Sequence, residues 1–324
     1  MTYVWRRIDC RAMCRNLRRP LACVLVLAAL AATRLSAQPA LPHPDEDCGE
    51  IERNYELIKA DAVSVQINTV LFKAADRGCD ALAKKLLDAG ASLLARDRRG
   101  AAPLAHAARE GHVKLVEFFL AQGAPIDARN VDGGTALFAA AEGEKHSTVA
   151  LLLAKGADPN LAGRKGVTPL IAAAFKGNER ILDMLLARGA NPNAGDETGK
   201  SAMVYAAARG FDDIVARLIE AGVDPRARYG NDLTALMWAA GHEDGVGSAA
   251  IGRVIDLLLA HGASVDAADN RGRTALMIAA SLGDAATVNL LLKRGADRTR
   301  KDKDGKTALD LAANTDTRNE LTAK

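Results

Sequence analysis

From Thr168 to Leu186 the apolar residues fall into two short helical stripes separated by a break. Thr168 suits the N-cap of the first stripe. Pro169 fits its first turn, where a missing N–H leaves nothing unpaired. Leu170, Ala172, Ala173 and Ala174 keep that helix thin, and Gly177-Asn178 breaks it. Ile181, Leu182, Leu185 and Leu186 then recur at helical spacing on a second helix. Gly189 ends the second helix in the left-handed conformation that glycine tolerates. Asn191-Pro192-Asn193 starts an extended turn. One such unit cannot bury its apolar face alone, whereas neighbours stacked side by side can.

The same pattern repeats along the chain. Gly90-Ala91, Gly123-Ala124, Gly156-Ala157, Gly189-Ala190, Gly222-Val223, Gly262-Ala263 and Gly295-Ala296 stand 33 residues apart, except for one interval of 40. Gly100, Gly133, Gly166, Gly199, Gly272 and Gly305 keep the same register, with Asp232 where one further glycine is due. A Thr-Pro-Leu-like step follows, as in Thr168-Pro169-Leu170, Thr135-Ala136-Leu137 and Thr274-Ala275-Leu276. A fixed period of this length marks a repeat architecture. With Gly111-His112-Val113-Lys114-Leu115-Val116 and Gly156-Ala157-Asp158-Pro159-Asn160, the pattern resembles the ankyrin repeat family. The resemblance implies an all-α repeat solenoid of stacked helix-turn-helix units joined by β-hairpin-like fingers. Its seven repeats are expected at 66–98, 99–131, 132–164, 165–197, 198–230, 231–270 and 271–303. A truncated C-terminal cap at 304–324 completes a repeat domain over 66–324.

The chain departs from the family pattern in two ways. The family often carries His after the Thr-Pro-Leu step. Here Ala105, Phe138, Ile171, Val204, Met237, Met277 and Asp310 stand there, so apolar packing is expected in place of the hydrogen bonds that His supplies. The first repeat is degenerate, with Thr69-Val70-Leu71 at the step, as befits an end unit. Ile51–Ala60 is expected to form a helix covering that end. Residues 38–65 thus read as a leader plus capping helix, the leader at 38–47 being loose and carrying Pro39, Pro42 and Pro44.

Composition sharpens this picture. Aromatics are only 4% of the chain, consistent with thin, closely stacked helices. The formal charge of +3 hides an asymmetry, because residues 1–37 hold seven Arg and one Asp, leaving −3 for the remainder. Nucleic acid is therefore not expected as a partner. Leu21–Ala32 is a twelve-residue apolar or small run after Arg15, Arg18 and Arg19, followed by Ser36-Ala37-Gln38. Residues 1–37 read as a signal peptide cut after Ala37, with Met13 an alternative start and an uncleaved anchor the competing reading. The run is short for a bilayer span of ~20 residues, so no membrane association is expected after cleavage. A bacterial signal of this kind points to the periplasm, or to secretion. Cys48 and Cys79 remain afterwards, either bridged or as two unrelated thiols.

Candidate chemistry is sparse. The six His do not share metal-ligand spacing, His242-Glu243 lacks a second His at the required distance, and no Gly-x-Ser-x-Gly elbow or phosphate-binding loop appears. No enzyme, cofactor or metal is expected. Seven surplus residues fall around 241–248 in repeat six, either as a tolerated surface loop or as a partner contact. The family resemblance places partner contacts on finger tips and the exposed first-helix face. The matching positions are Arg98, Arg99, Arg109 and Glu110, then Val131, Asp132 and Glu142, then Arg164, Lys165, Phe175 and Lys176. Glu197, Arg209, Asn231, His242, Asn270 and Arg271 complete the set, while Trp238 reads as core. The implied function is a monomeric scaffold binding an unidentified protein, the alternative being a secreted effector that binds a host protein.

Overall fold

The computed structural model describes residues 47–242 and 245–323. The signal-like segment and most of the proline-bearing leader lie outside the described residues. Within them the chain forms seven helix pairs, an N-terminal covering helix and a shortened C-terminal pair.

Helix α1 (Cys48–Ile58) starts three residues before the apolar pattern of Ile51–Ala60, because Asp47 caps it by accepting from the Glu50 N–H at 2.7 Å. Its Ile51 and Tyr55 are buried against the first repeat, α2 (Ser64–Arg77) and α3 (Asp80–Asp88). Cys48 and Cys79 are joined by a disulfide, their Cα atoms 5.5 Å apart. An ion pair of Lys85 with Glu52 lies beside the same junction.

The following pairs are α4 (Pro103–Glu110) with α5 (Val113–Ala121), α6 (Ala136–Glu142) with α7 (His146–Ala154), and α8 (Pro169–Lys176) with α9 (Glu179–Leu186). Then come α10 (Ala202–Ala208) with α11 (Asp212–Glu220), α12 (Ala235–Ala240) with α13 (Ser248–Ala260), and α14 (Ala275–Leu282) with α15 (Ala285–Lys293). Helices α16 (Ala308–Leu311) and α17 (Thr315–Thr322) end the stack. First helices pack on first helices along the whole series, and second helices on second helices from α5 to α17.

Local chemistry explains most first-helix starts. Thr135, Thr168, Thr234, Thr274 and Thr307 each accept a hydrogen bond from the backbone N–H three residues on. Packing explains why the first helices are thin. Ala107-Ala108, Ala140-Ala141, Ala173-Ala174, Ala206-Ala207, Ala239-Ala240 and Ala279-Ala280 have no exposed surface. A methyl group is all that the approach of neighbouring backbones leaves room for.

The positions where the family often has His are apolar and buried at Ile171, Val204, Met237 and Met277. Hydrogen bonds between repeats nevertheless exist, from other side chains. The Asn160 amide donates to the Gly189 carbonyl at 3.1 Å and accepts from the Asn191 N–H at 2.7 Å. Arg129 donates to the Ala162 carbonyl at 2.9 Å, and His112 lies 3.0 Å from the Asp76 carbonyl. On the second-helix face, Arg217 pairs with Asp183 at 2.7 Å, while Arg253 and Arg294 grip Asp212 and Asp256 with two nitrogens each.

The surplus residues of repeat six are shared between loop and helix. Helix α13 has 13 residues against 9 in α11 and α15. Four of the seven thus extend the helix, and Val246 packs against the core. Ahead of that helix and at its start, Gly245, Gly247 and Ser248 are exposed.

The disulfide generates a prediction. It encloses a sequence separation of 31 residues, for which the chain-entropy account gives about 3–4 kcal/mol of stabilisation. Reduction should raise the intact mass by two hydrogens and lower the melting temperature, while Cys48→Ser reproduces the shift and abolishes its response to reductant. An unchanged mass on reduction would show two free thiols.

Candidate partner-binding surface

Seven tight reversals join the helix pairs, and each closes in one of two ways. In five of them an Asp or Asn side chain holds the turn. Asp97, Asn130, Asp196, Asp269 and Asp302 each accept from the N–H groups two and four residues ahead. A glycine with positive φ then completes the reversal, as at Gly199 with φ 76°. The other two have Gly163 and Tyr229 at that position and no side chain to hold the turn. There two consecutive residues are left-handed, Lys165-Gly166 at φ 58° and 74° and Asn231-Asp232 at φ 64° and 60°. That is the backbone of a type I′ hairpin turn. In the second case it brings Arg228–Tyr229 and Leu233–Thr234 into a short antiparallel pair, β1 and β2. Asp232, standing where a glycine is due, adopts the glycine-like conformation.

The fingers are also tied to one another by backbone hydrogen bonds. The Val131 N–H donates to the Arg99 carbonyl, Glu197 to Lys165 and Lys303 to Arg271, each at 2.9 Å, and Asn270 to Asn231 at 3.2 Å. These bonds fix the backbone of Arg99, Val131, Lys165, Glu197, Asn231, Asn270 and Arg271 and leave their side chains exposed. Arg98, Asp132 and Arg164 are exposed on the same tips, and Glu142 and Lys176 at the far ends of their first helices.

Other expected contact residues are engaged. The Arg109 guanidinium bonds Asp76 and Glu110, both at 2.9 Å. His242 is not a free surface side chain. It is only 16% exposed, with Nδ1 3.8 Å from Asp284, because the turn between two helices is covered by the next repeat. Phe175 is 38% exposed and meets the edge of Tyr205 at 5.7 Å. Arg209 lies over the Phe175 ring at 4.3 Å.

Trp238 corrects a second expectation. It is half-buried rather than core, with the Lys200 ammonium 4.8 Å above its ring. Lys200 also lies over Tyr205, at 5.8 Å. Tyr205 and Trp238 occupy equivalent places, four residues after Ser201 and Thr234. The side chain there points along the first-helix face, so repeat register was the signal that could have separated both from the core. The Tyr205 hydroxyl donates to Asp196 at 2.6 Å. Burial pushes the Asp196 carboxyl up, but hydrogen bonds from Tyr205, Thr198 and the backbone outweigh it, leaving the carboxyl below the ordinary aspartate value.

Family comparisons agree with this architecture. "Ankyrin repeats (3 copies)" matches residues 55–130, 104–196 and 170–249. "Ankyrin repeats (many copies)" matches 258–312, and "Ankyrin repeat" matches 231–270. The chain belongs to the ankyrin repeat family. No curated protein matches it. Among the described residues, no group of three or more His, Cys, Asp or Glu is placed to hold a metal ion, and no helix is long and apolar enough to cross a membrane.

Asp196 carries a pH prediction for this ankyrin surface. Its native carboxyl is the stronger acid, so its contribution is present above the ordinary aspartate range and is lost as falling pH protonates it. Asp196→Asn should lower the melting temperature at pH 7, and the gap to the wild type should close towards pH 2. A gap that does not change with pH would refute this role.

Proposed function

We propose that this chain is a non-catalytic binding module that holds a protein partner on its finger tips and first-helix face. Ankyrin repeats imply a protein–protein interaction module. The observation that carries the finer reading is the half-exposed Phe175 near the end of α8, beside exposed Lys176, with exposed Arg164 and Lys165 on the finger that leads into the same helix. An aromatic ring that is only partly covered is the side-chain type that gains most from burial by a partner. A rigid scaffold loses little entropy when the partner docks. Every repeat contributes both a finger tip and a first helix, so the surface can extend across several units while the buried alanines remain untouched.

The site of action in this proposal is the bacterial periplasm. Two features support it: the signal-like pattern of residues 1–37 and the Cys48–Cys79 disulfide, which persists in oxidising compartments.

Two experiments test these readings. With the chain as bait, Arg164→Glu combined with Phe175→Ala should reduce capture of its partner at least tenfold. The melting temperature should move by no more than a few degrees, since the two sites are exposed. Undiminished capture would place the contact elsewhere. Cell fractionation followed by N-terminal sequencing should find a periplasmic product starting at Gln38. Recovery from the medium would favour the effector reading, and a cytoplasmic product retaining residues 1–37 would refute export.

A further inference from the structure

We infer that the first-helix face of repeats four to six takes an extended acidic segment of the partner protein, seated between Lys200 and Lys176 with an apolar side chain against Phe175. This rests on the protein-binding reading above and names the chemistry of its partner.

The two faces of the stack treat their cations differently. On the second-helix side Arg217, Arg253 and Arg294 are matched with Asp183, Asp212 and Asp256 of a neighbouring repeat. On the fingers and first helices of repeats four and five, Arg164, Lys165, Lys176 and Lys200 form no ion pair with a described carboxylate. The nearby acids do not cancel them. Asp196 is held by Tyr205, Thr198 and two backbone N–H groups. With Glu197 and Asp232 it stands against Arg164, Lys165, Lys176, Lys200, Arg209 and Arg228 on the fingers and first helices of repeats four to six, while Glu142 ends the preceding first helix. The result is a local excess of positive charge in a chain whose net charge beyond residue 37 is negative.

The floor between these cations is aromatic. Phe175 meets Tyr205 edge-on, and Lys200 covers part of Tyr205 and Trp238. A carboxylate can approach Lys200 without breaking an existing ion pair, because the ammonium is held over rings and not by an acid. The ring of Phe175 rewards an apolar side chain in the same segment. Helix α8, at eight residues, runs about 12 Å, the length of about four residues of extended peptide. Acidic and apolar side chains at that spacing are properties of a peptide. A uniform polyanion matches only the charge, and the negative remainder of the chain opposes it.

The Trp238 position supplies the readout, since Trp5 is the only other tryptophan of the chain. The full chain carrying Trp5→Phe is used to select from a random octapeptide display library. Selected peptides are then titrated while Trp238 fluorescence is followed, with a deoxythymidine octamer in parallel. Selected peptides should be enriched in Asp and Glu with a Phe or Leu among them, should change Trp238 emission, and should weaken as salt rises. Lys200→Glu should weaken their binding at least tenfold. Lys176→Glu, at an exposed position, should weaken it severalfold.

Four outcomes overturn the inference: no acidic enrichment, no selectable peptide, undiminished binding by the lysine variants, or comparable binding of the octamer. If any of these occurs while partner capture still depends on Arg164 and Phe175, only the acidic segment is refuted. If that dependence is also missing, the reading beneath it falls too.

Discussion

The closeness of neighbouring first helices governs everything else in this molecule. Two alanines per repeat sit in that interface with no exposed surface, from Ala74-Ala75 in the first unit to Ala279-Ala280 in the seventh. Close-packed interiors respond to a single added methylene, and overpacking typically costs about 1–3 kcal/mol. A larger side chain at any of these positions would push two repeats apart and disturb the fingers attached to them. The short helix pair has no other way to bury its apolar face. The small-residue pair therefore sets the distance over which every inter-repeat hydrogen bond and ion pair must act.

That distance makes the fingers a continuous edge. Adjacent tips approach closely enough for backbone bonds such as Val131 to Arg99 and Glu197 to Lys165. Within each finger an Asp or Asn side chain usually completes the turn. Where Gly163 or Tyr229 replaces it, two successive left-handed residues take over. Left-handed backbone at non-glycine residues costs roughly 1–2 kcal/mol. The stack and the short β1–β2 pairing hold it in place. The two kinds of finger flank repeat five, whose Lys200 and Tyr205 stand at the centre of the aromatic and cationic surface.

Much of the fold is legible in single repeats because its signals are local. Thr168 and Pro169 announce a helix start, and Thr168 does accept from the Ile171 N–H. Glycines on the 33-residue beat announce turns, and Asp232 takes the same conformation where glycine is missing. The seven-residue surplus was also visible, but its division between α13 and the turn was not. Nothing in Gly241–Ser248 alone says how far the next helix can extend, which the packing of Val246 helps to settle. The binding surface is less legible still. Trp238 has the composition of a core residue and becomes a surface ring only because its register points it along the first-helix face, under Lys200 from the preceding finger.

The sequence by itself determined the period, read from recurrence at 33 residues, and the helix starts and glycine turns, which depend on residues within a few positions of one another. Tertiary structure alone decided which side chains meet across repeats. His242 faces Asp284, Arg209 covers Phe175, and Lys200 covers Trp238. These partners lie 34 to 42 residues apart in the sequence. Their meeting depends on the lateral offset between stacked units, which is set by the alanine interface and not by any local motif.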